Sequence, residues 1–298
     1  MHKPPMSSAP PPEIFDRRIR RLRRDRAAPD FADHAFLRDN MVEELLDRLD
    51  GVKRGFSRAL DLGAANGSIA DALRARGMHV TTLDPGYRFA AQAHGVQADE
   101  DRLPFADASF DLVVSAGALD SVNDLPGALA LIRRTLLPDG LFLGAMLGAG
   151  SLRTLKSTAL AADMATEAGA RPRIHPQIDV RAAGDLLSRA GFALPVADSF
   201  ALDVRYSSLL RLTTDLRGMA ATNLLAGGRA GISREWLAHA ATAFAEKADP
   251  DGKTSEHFEI ICLTGWSPDP GQPAPARRGS ATMSLAAALE PGRKKDKA

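Results

Sequence analysis

Three acids and two glycines in the first half of the chain have the types and spacing to do chemistry. Asp61 ends the short apolar run Ala59-Leu60-Asp61-Leu62, and the chain then turns through Gly63 and Gly67 into a helical stretch at Ser68–Arg76. A strand, a tight turn and a helix N-terminus bring backbone N–H groups close to a bound ligand. A G-x-G-x-x-G loop starting at Gly63 would need glycine where Ala65 and Ser68 stand, which argues against the dinucleotide form. What remains, D-x-G-x-x-x-G, suits a nucleoside without a pyrophosphate. S-adenosylmethionine (SAM) is the leading candidate, with Asp61, Gly63, Ala65 and Gly67 around the turn that would receive it.

Asp84 follows Gly63 by 21 residues and ends a second apolar run. A carboxylate there can accept from both ribose hydroxyls; alternatively it caps a helix, since Pro85 follows. Asp99 ends a third run and can accept from an adenine amine, with Glu100 beside it; the plainer reading is a polar loop. Ser115 closes a fourth run at the ligand edge of a parallel sheet. Asp120 and Asn123 follow, either facing the reacting end of a ligand or ordering their loop. Asp120, Tyr206 and His175 are the candidates for catalysis. For each the sequence also allows a structural role: loop order for Asp120, packing for Tyr206, a surface loop for His175. No histidine falls in a metal-ligand spacing such as H-x-x-x-H, so no metal is expected. Cys262 lies between Ile261 and Leu263 and reads as inert core.

These residues need a sheet to hold them. Apolar runs at Ala59–Gly63, Val80–Asp84, Val96–Asp99, Asp111–Ser115 and Leu141–Leu147 alternate with helical patterns, which predicts parallel strands joined by right-handed crossovers. A strand within Phe192–Tyr206, with a further short strand, and a last strand at Phe258–Trp266 complete the sheet. Helices are expected at Phe36–Leu49, Leu125–Leu137, Ser151–Glu167, Val180–Ala190, Leu209–Met219 and Arg234–Lys247. The expected organisation is a disordered tail at 1–13, N-terminal helices at 14–58, a ligand-binding domain at 59–206, a helical insertion at 207–257, the last strand at 258–267 and a flexible tail at 268–298. A docked segment is expected within that tail, at Ala281–Leu289. The insertion and Ser151–Ile178 would form a lid over the C-terminal edge of the sheet.

Ile14–Arg26 carries seven arginines between positions 17 and 26. Phe15, Ile19 and Leu22 fall at helical spacing, so the stretch reads as a basic amphipathic helix. It is either a solvated cap or a contact for an acidic partner or phosphate.

Composition sets the limits. The chain has 298 residues, 45% of them hydrophobic, and a net charge of +1. That is enough for one large core. The charge balance gives no general case for nucleic acid or a membrane. One cysteine permits no intrachain disulfide and suits a reducing cytoplasm. No apolar run approaches the ~20 residues that span a bilayer, and no secretory h-region is seen near the start.

The series Asp61-Leu-Gly-Ala-Ala-Asn-Gly67, Asp84, Asp99 before Leu103-Pro104-Phe105, Ser109-Phe110-Asp111 and Leu137-Pro138-Asp139-Gly140 resembles the class I SAM-dependent methyltransferases. Phe15-Asp16-Arg17, Phe36-Leu37-Arg38-Asp39, Val122-Asn123-Asp124-Leu125-Pro126, Gly144-Ala145-Met146-Leu147-Gly148, Leu187-Ser-Arg-Ala-Gly-Phe192, Asp215-Leu216-Arg217-Gly218-Met219, Gly265-Trp266 and Gly279-Ser280-Ala281-Thr282 resemble one subfamily within it. That subfamily contains the mitochondrial complex I assembly factor of arginine-hydroxylase type and its bacterial relatives. The resemblance implies a Rossmann-like α/β fold with a mostly parallel seven-stranded sheet and a helical lid. It implies SAM as cofactor and a respiratory complex I subunit as protein substrate. It further implies a cytoplasmic protein that meets the inner membrane face through its Arg-rich helix. A non-catalytic assembly factor, a protein-arginine hydroxylase and a malonyl-carrier-protein O-methyltransferase are the alternatives it brings. The sequence departs from the family at Ala64 (usually cysteine), Ala65 (usually glycine), Asp120-Ser121 (usually His-Trp) and Arg173, near which a histidine is usual.

Overall fold

The computed structural model describes residues 13–166, 171–227 and 231–272. The expected tail at 1–13, apart from Glu13, most of the tail at 268–298 and the segment Ala281–Leu289 lie outside the described residues. The described residues up to Pro268 form one compact unit.

The alternation of apolar runs with helices becomes a seven-stranded sheet in the order β3-β2-β1-β4-β5-β7-β6. The strands are β1 (Arg58–Leu62), β2 (His79–Asp84), β3 (Val96–Gln97), β4 (Phe110–Ala116), β5 (Leu136–Leu147), β6 (Ala193–Tyr206) and β7 (Thr254–Trp266). β1 to β5 are parallel, while β7 runs antiparallel to both β5 and β6. Strand order reverses between β1 and β4, the place where open α/β sheets leave a crevice at their carboxyl ends. Asp61, Asp84 and Ser115 lie at or near those ends.

The helices are α1 (Arg17–Ala27), α2 (Phe36–Asp50), α3 (Ser68–Ala75), α4 (Tyr87–Gln92), α5 (Leu125–Thr135), α6 (Arg153–Ala165), α7 (Val180–Arg189), α8 (Leu209–Gly218) and α9 (Arg234–Ala245). Side-chain alternation along the strands divides the core in two. Leu60, Val113, Phe142 and Met146 pack with Ile132 of α5 and Leu187 of α7. Leu112, Val114, Leu143 and Ile260 pack with Met41 and Leu45 of α2 and Leu73 of α3. A third cluster joins α6, α8 and α9 through Ala162, Leu212, Trp236 and Phe244, with Phe258 of β7.

Several expected boundaries change. β3 stops at Gln97, so Asp99 follows the strand rather than ending it. β6 is one strand of 14 residues rather than two pieces. β7 starts at Thr254, not 258, so the helical insertion ends earlier than 257. Both differences arise because β6 and β7 pair out to Tyr206 and Thr254, which satisfies the backbone along the full hairpin. β5 starts at Leu136, which pairs with Phe110 ahead of the Pro138-Asp139-Gly140 irregularity.

Candidate functional site

The turn after β1 is built by conformation first. Gly63 and Gly67 have φ of +78° and +76°, a region costly for residues with a Cβ. A Cβ at Gly63 would also lie 2.3 Å from the Ala118 Cβ, so this position closes tightly on the loop after β4. Gly63 and Ala64 donate their N–H groups to the Leu83 carbonyl at 2.8 and 3.0 Å, tying the turn to β2. Ala65 takes φ +46° and donates its N–H to Asp84 at 2.9 Å. Its methyl is buried in a small cluster with Ala27, Ala28, Phe31, Ala35, Phe89 and Ala220. Ser115 donates its hydroxyl to the Leu62 carbonyl at 2.8 Å and is fully buried, so it joins β4 to β1.

Asp84, Asp99, Glu100 and Asp101 all meet one helix, α1. Arg24 of α1 donates from Nε to Asp84 at 2.8 Å and from Nη2 to the other oxygen. Gly86 N–H adds a third bond at 2.7 Å, and Ala65 N–H a fourth. A carboxylate has about four acceptor positions, so Asp84 is saturated. Glu100 is fully buried and takes Arg20 in a fork, at 2.6 and 2.8 Å. Arg20 also donates to the Ala118 carbonyl and the Ser121 hydroxyl, each at 3.1 Å. Asp99 pairs through one oxygen with Arg21 at 2.7 Å and Arg17 at 3.2 Å. Arg17 forks onto Asp101 at 2.6 and 2.7 Å.

This corrects the solvated-cap reading of the Arg-rich segment, whose inward side carries arginines. Arg17, Arg20, Arg21 and Arg24 repeat at i, i+3, i+4 and i+7, which places them on one side of a helix. Four anionic side chains draw that side inward, while Leu22 stays 46% exposed. The acidic partner expected for this helix is the chain's own strand-tip cluster. Of the seven arginines, Arg18 and Arg26 are the exposed ones, which leaves little of the basic face for a membrane surface.

Asp61 accepts from the Ala70 N–H of α3 at 3.1 Å, and its other oxygen is buried and takes no hydrogen bond. Burial pushes its carboxyl up to about 6, against the opposing pull of the Arg38 guanidinium 3.9 Å away. Arg38 of α2 braces the glycine turn, donating to the Ala64 carbonyl, Asn66 and Ser68 at 2.9, 3.0 and 2.6 Å. Asp99 likewise keeps one buried oxygen that takes no hydrogen bond.

The three catalytic candidates sit on different elements, although Asp120 and His175 both lie within the field of Arg20. Asp120 sits in a short 3-10 turn, where burial raises its carboxyl and Arg20 pulls it the other way. His175 accepts the Leu224 N–H through Nε2 at 2.8 Å and packs its ring edge-on to Phe15, centroids 5.1 Å apart. Burial pushes it down to about 4, so it is neutral at physiological pH. Tyr206 ends β6 in the lid cluster, where burial and then the Asp215 carboxylate push its phenol up. Asn123 orders the N-terminal segment: it accepts Phe15 N–H at 2.8 Å and donates to the Phe15 carbonyl at 3.0 Å. Arg173 holds Asp163 at 2.6 Å and stacks 4.1 Å over Trp236, so it fastens α6 to α9. A cavity of about 440 Å³ opens between Leu209, Leu237, Phe244 and Thr254, and Tyr206 does not line it.

Sequence reasoning missed the arginines as members of the site. Their heptad-like spacing was visible; the complementary acids were visible too, but nothing local said that the two would meet across 60 to 80 residues of chain. Arg38 carried no signal of its role beyond its place in a motif.

The residues fit a nucleoside in kind. Two buried carboxylate oxygens, on Asp61 and Asp99, take no hydrogen bond. Asp84 lies between β1 and β3 with the right chemistry and its capacity filled by Arg24. The reversal of strand order between β1 and β4, a glycine turn and an acid ending β2 together define the class I methyltransferase fold. A family model described as "Methyltransferase domain" matches residues 60–144. The structure is similar to a candidate methyltransferase from Bacillus halodurans (TM-score 0.54, 15% identity, 76% of this chain and 99% of that one), a likeness of fold.

Among curated proteins, the chain is 34% identical over 284 residues to "Arginine-hydroxylase NDUFAF5, mitochondrial" of Danio rerio, covering 92% of this chain and 88% of the relative. It is 32% identical over 268 residues to the malonyl-(acyl-carrier protein) O-methyltransferase of a Methylovorus strain, covering 83% and 88%. The chain therefore belongs to the methyltransferase-like family that contains the arginine-hydroxylase NDUFAF5 proteins. Among the described residues no helix is long and apolar enough to cross a membrane.

Proposed function

We propose that this protein is a SAM-dependent methyltransferase acting on a protein acceptor, a subunit of respiratory complex I, in the cytoplasm or at the inner membrane face. The observation that carries the cofactor is the pair of buried oxygens on Asp61 and Asp99 that take no hydrogen bond. Such oxygens are costly unless a donor reaches them. The cofactor supplies a methyl group on a sulfonium. Asp61 would accept from its ammonium, Asp84 from its ribose hydroxyls, and Asp99 with Glu100 from its adenine amine. Gly63 keeps the backbone close, and Arg38 holds the turn. Well-oriented reactants gain about 7–11 kcal/mol, so positioning supplies most of the acceleration. The acceptor's proton needs a base, and Asp120 is the carboxylate nearest that end of the site in sequence. The protein acceptor rests on the likeness to the NDUFAF5 relatives.

A second reading is favoured by the saturation of Asp84: a non-catalytic assembly factor that keeps the fold and holds a complex I subunit. Calorimetric titration with SAM, followed by a transfer assay on the isolated complex, separates the two. Binding with transfer supports the enzyme; binding without transfer, and subunit capture by an Asp84→Ala variant equal to the wild type, supports the assembly factor. No binding by any variant removes the cofactor.

A further inference from the structure

We propose that α1 is a built-in competitor for the nucleoside site: Arg24 and Arg20 occupy the acids that hold the ligand, and binding requires α1 to undock along its length. This rests on the reading of Asp84, Asp99 and Glu100 as nucleoside-binding acids.

The fit between helix and site is specific. Asp84 and Glu100 are both fully buried, and Asp99 nearly so. Buried anions of like sign need counter-charges. Arg24 and Arg20 supply them with two-point forks, the strongest geometry for a carboxylate. Arg24 also lies 5.1 Å above the Phe89 ring. The backbone makes room for it: a Cβ at Gly86 would lie 2.8 Å from the Arg24 Cβ. The Ala65 methyl, where glycine is usual, packs with Ala27 and Ala28 at the end of α1. Asp25 of α1 accepts the Arg88 N–H at the start of α4, at 2.9 Å.

SAM offers the same chemistry in exchange. Two ribose hydroxyls replace two guanidinium N–H groups at Asp84, an amine replaces Arg20 or fills the free oxygen of Asp99, and the ligand brings positive charge. One carboxylate cannot accept both sets, because its positions are already full. The helix is also hung to swing. Its C-terminal end runs through the 3-10 segment Ala28–His34 into α2. Its N-terminal end is held by the Asn123 pair to Phe15, by Asp16 N–H on the Leu224 carbonyl at 2.8 Å and by Ala226 N–H on the Ile14 carbonyl at 2.9 Å. These anchors lie in the lid and in the loop after β4. A protein acceptor that displaced them would open the cofactor site. If only the undocked state binds, apparent affinity falls by the undocked fraction.

The test is SAM titration by calorimetry on the full chain, with hydrogen exchange read over residues 19–27. The variants are Arg24→Gln, which frees Asp84, and Asn123→Ala, which loosens the anchor and touches no strand-tip acid. The proposal expects both variants to bind SAM at least tenfold more tightly than the wild type, and saturating SAM to speed exchange in α1 of the wild type. Asn123→Ala keeps the test alive if Arg24→Gln does not fold. Equal affinity of wild type and variants, with α1 protected throughout, overturns the competitor and leaves the cofactor reading standing. No SAM binding by any of the three at millimolar concentration overturns both.

Discussion

Arg24 and Asp84, 60 residues apart, share two hydrogen bonds in a place sealed from water. Removing one partner of a buried pair leaves an uncompensated charge, which costs about 3–5 kcal/mol. Arg24→Met should therefore lose stability of that order in urea unfolding. Arg24→Met/Asp84→Asn should lose less than Arg24→Met alone, and the double-mutant cycle reports the coupling. Additive losses would show that the pair is not a unit.

Asp61 makes stability depend on pH in an unusual direction. Its carboxyl is raised to about 6 in the fold against 3.8 ordinarily. Between those values the folded chain holds a proton that the unfolded chain has released. Stability therefore falls as pH rises from about 4 to above 6, by about 3 kcal/mol from this group. Asp61→Asn should remove that slope when the two proteins are compared by denaturant midpoint at pH 4 and pH 7.

His175 has the opposite sense for a base. Burial lowers it to about 4, so its contribution is complete above its ordinary value near 6.5 and is lost as pH falls toward 4. Protonation also removes the acceptor for the Leu224 N–H. His175→Asn should shrink the loss of lid protection seen in hydrogen exchange between pH 7 and pH 4.

Gly63→Ala meets both a left-handed backbone and a Cβ 2.3 Å from Ala118. We expect a loss of about 1–3 kcal/mol or more, read from thermal unfolding, because the contact is with a side chain that has no rotamer to change. Gly67→Ala has the same backbone constraint but no atom within 4 Å, and should lose only about 1–2 kcal/mol.

Much of this was legible in the sequence. The D-x-G-x-x-x-G turn, the acids ending β2 and following β3, and the alternation of runs placed the sheet and its crevice, because strand period and turn chemistry are local. The limits of β6 and β7 were not legible, since a hairpin's length depends on pairing across 48 residues, from Tyr206 to Thr254. Ser115 was at the correct edge, yet its hydroxyl turns to the Leu62 carbonyl, a choice only the neighbouring strand reveals. The arginine face of α1 was visible as spacing. Which face turned inward depended on acids brought close by the sheet, and of the apolar trio Phe15, Ile19 and Leu22 only Phe15, ahead of the helix, is buried while Leu22 is exposed.

The central claim is that the strand-tip acids hold a nucleoside, and equilibrium dialysis with labelled SAM tests it most directly. Arg24→Gln should bind one equivalent saturably, and adding Asp84→Asn or Asp99→Asn should weaken that binding at least tenfold. Absence of saturable uptake by Arg24→Gln, or uptake indifferent to both acid substitutions, would contradict it.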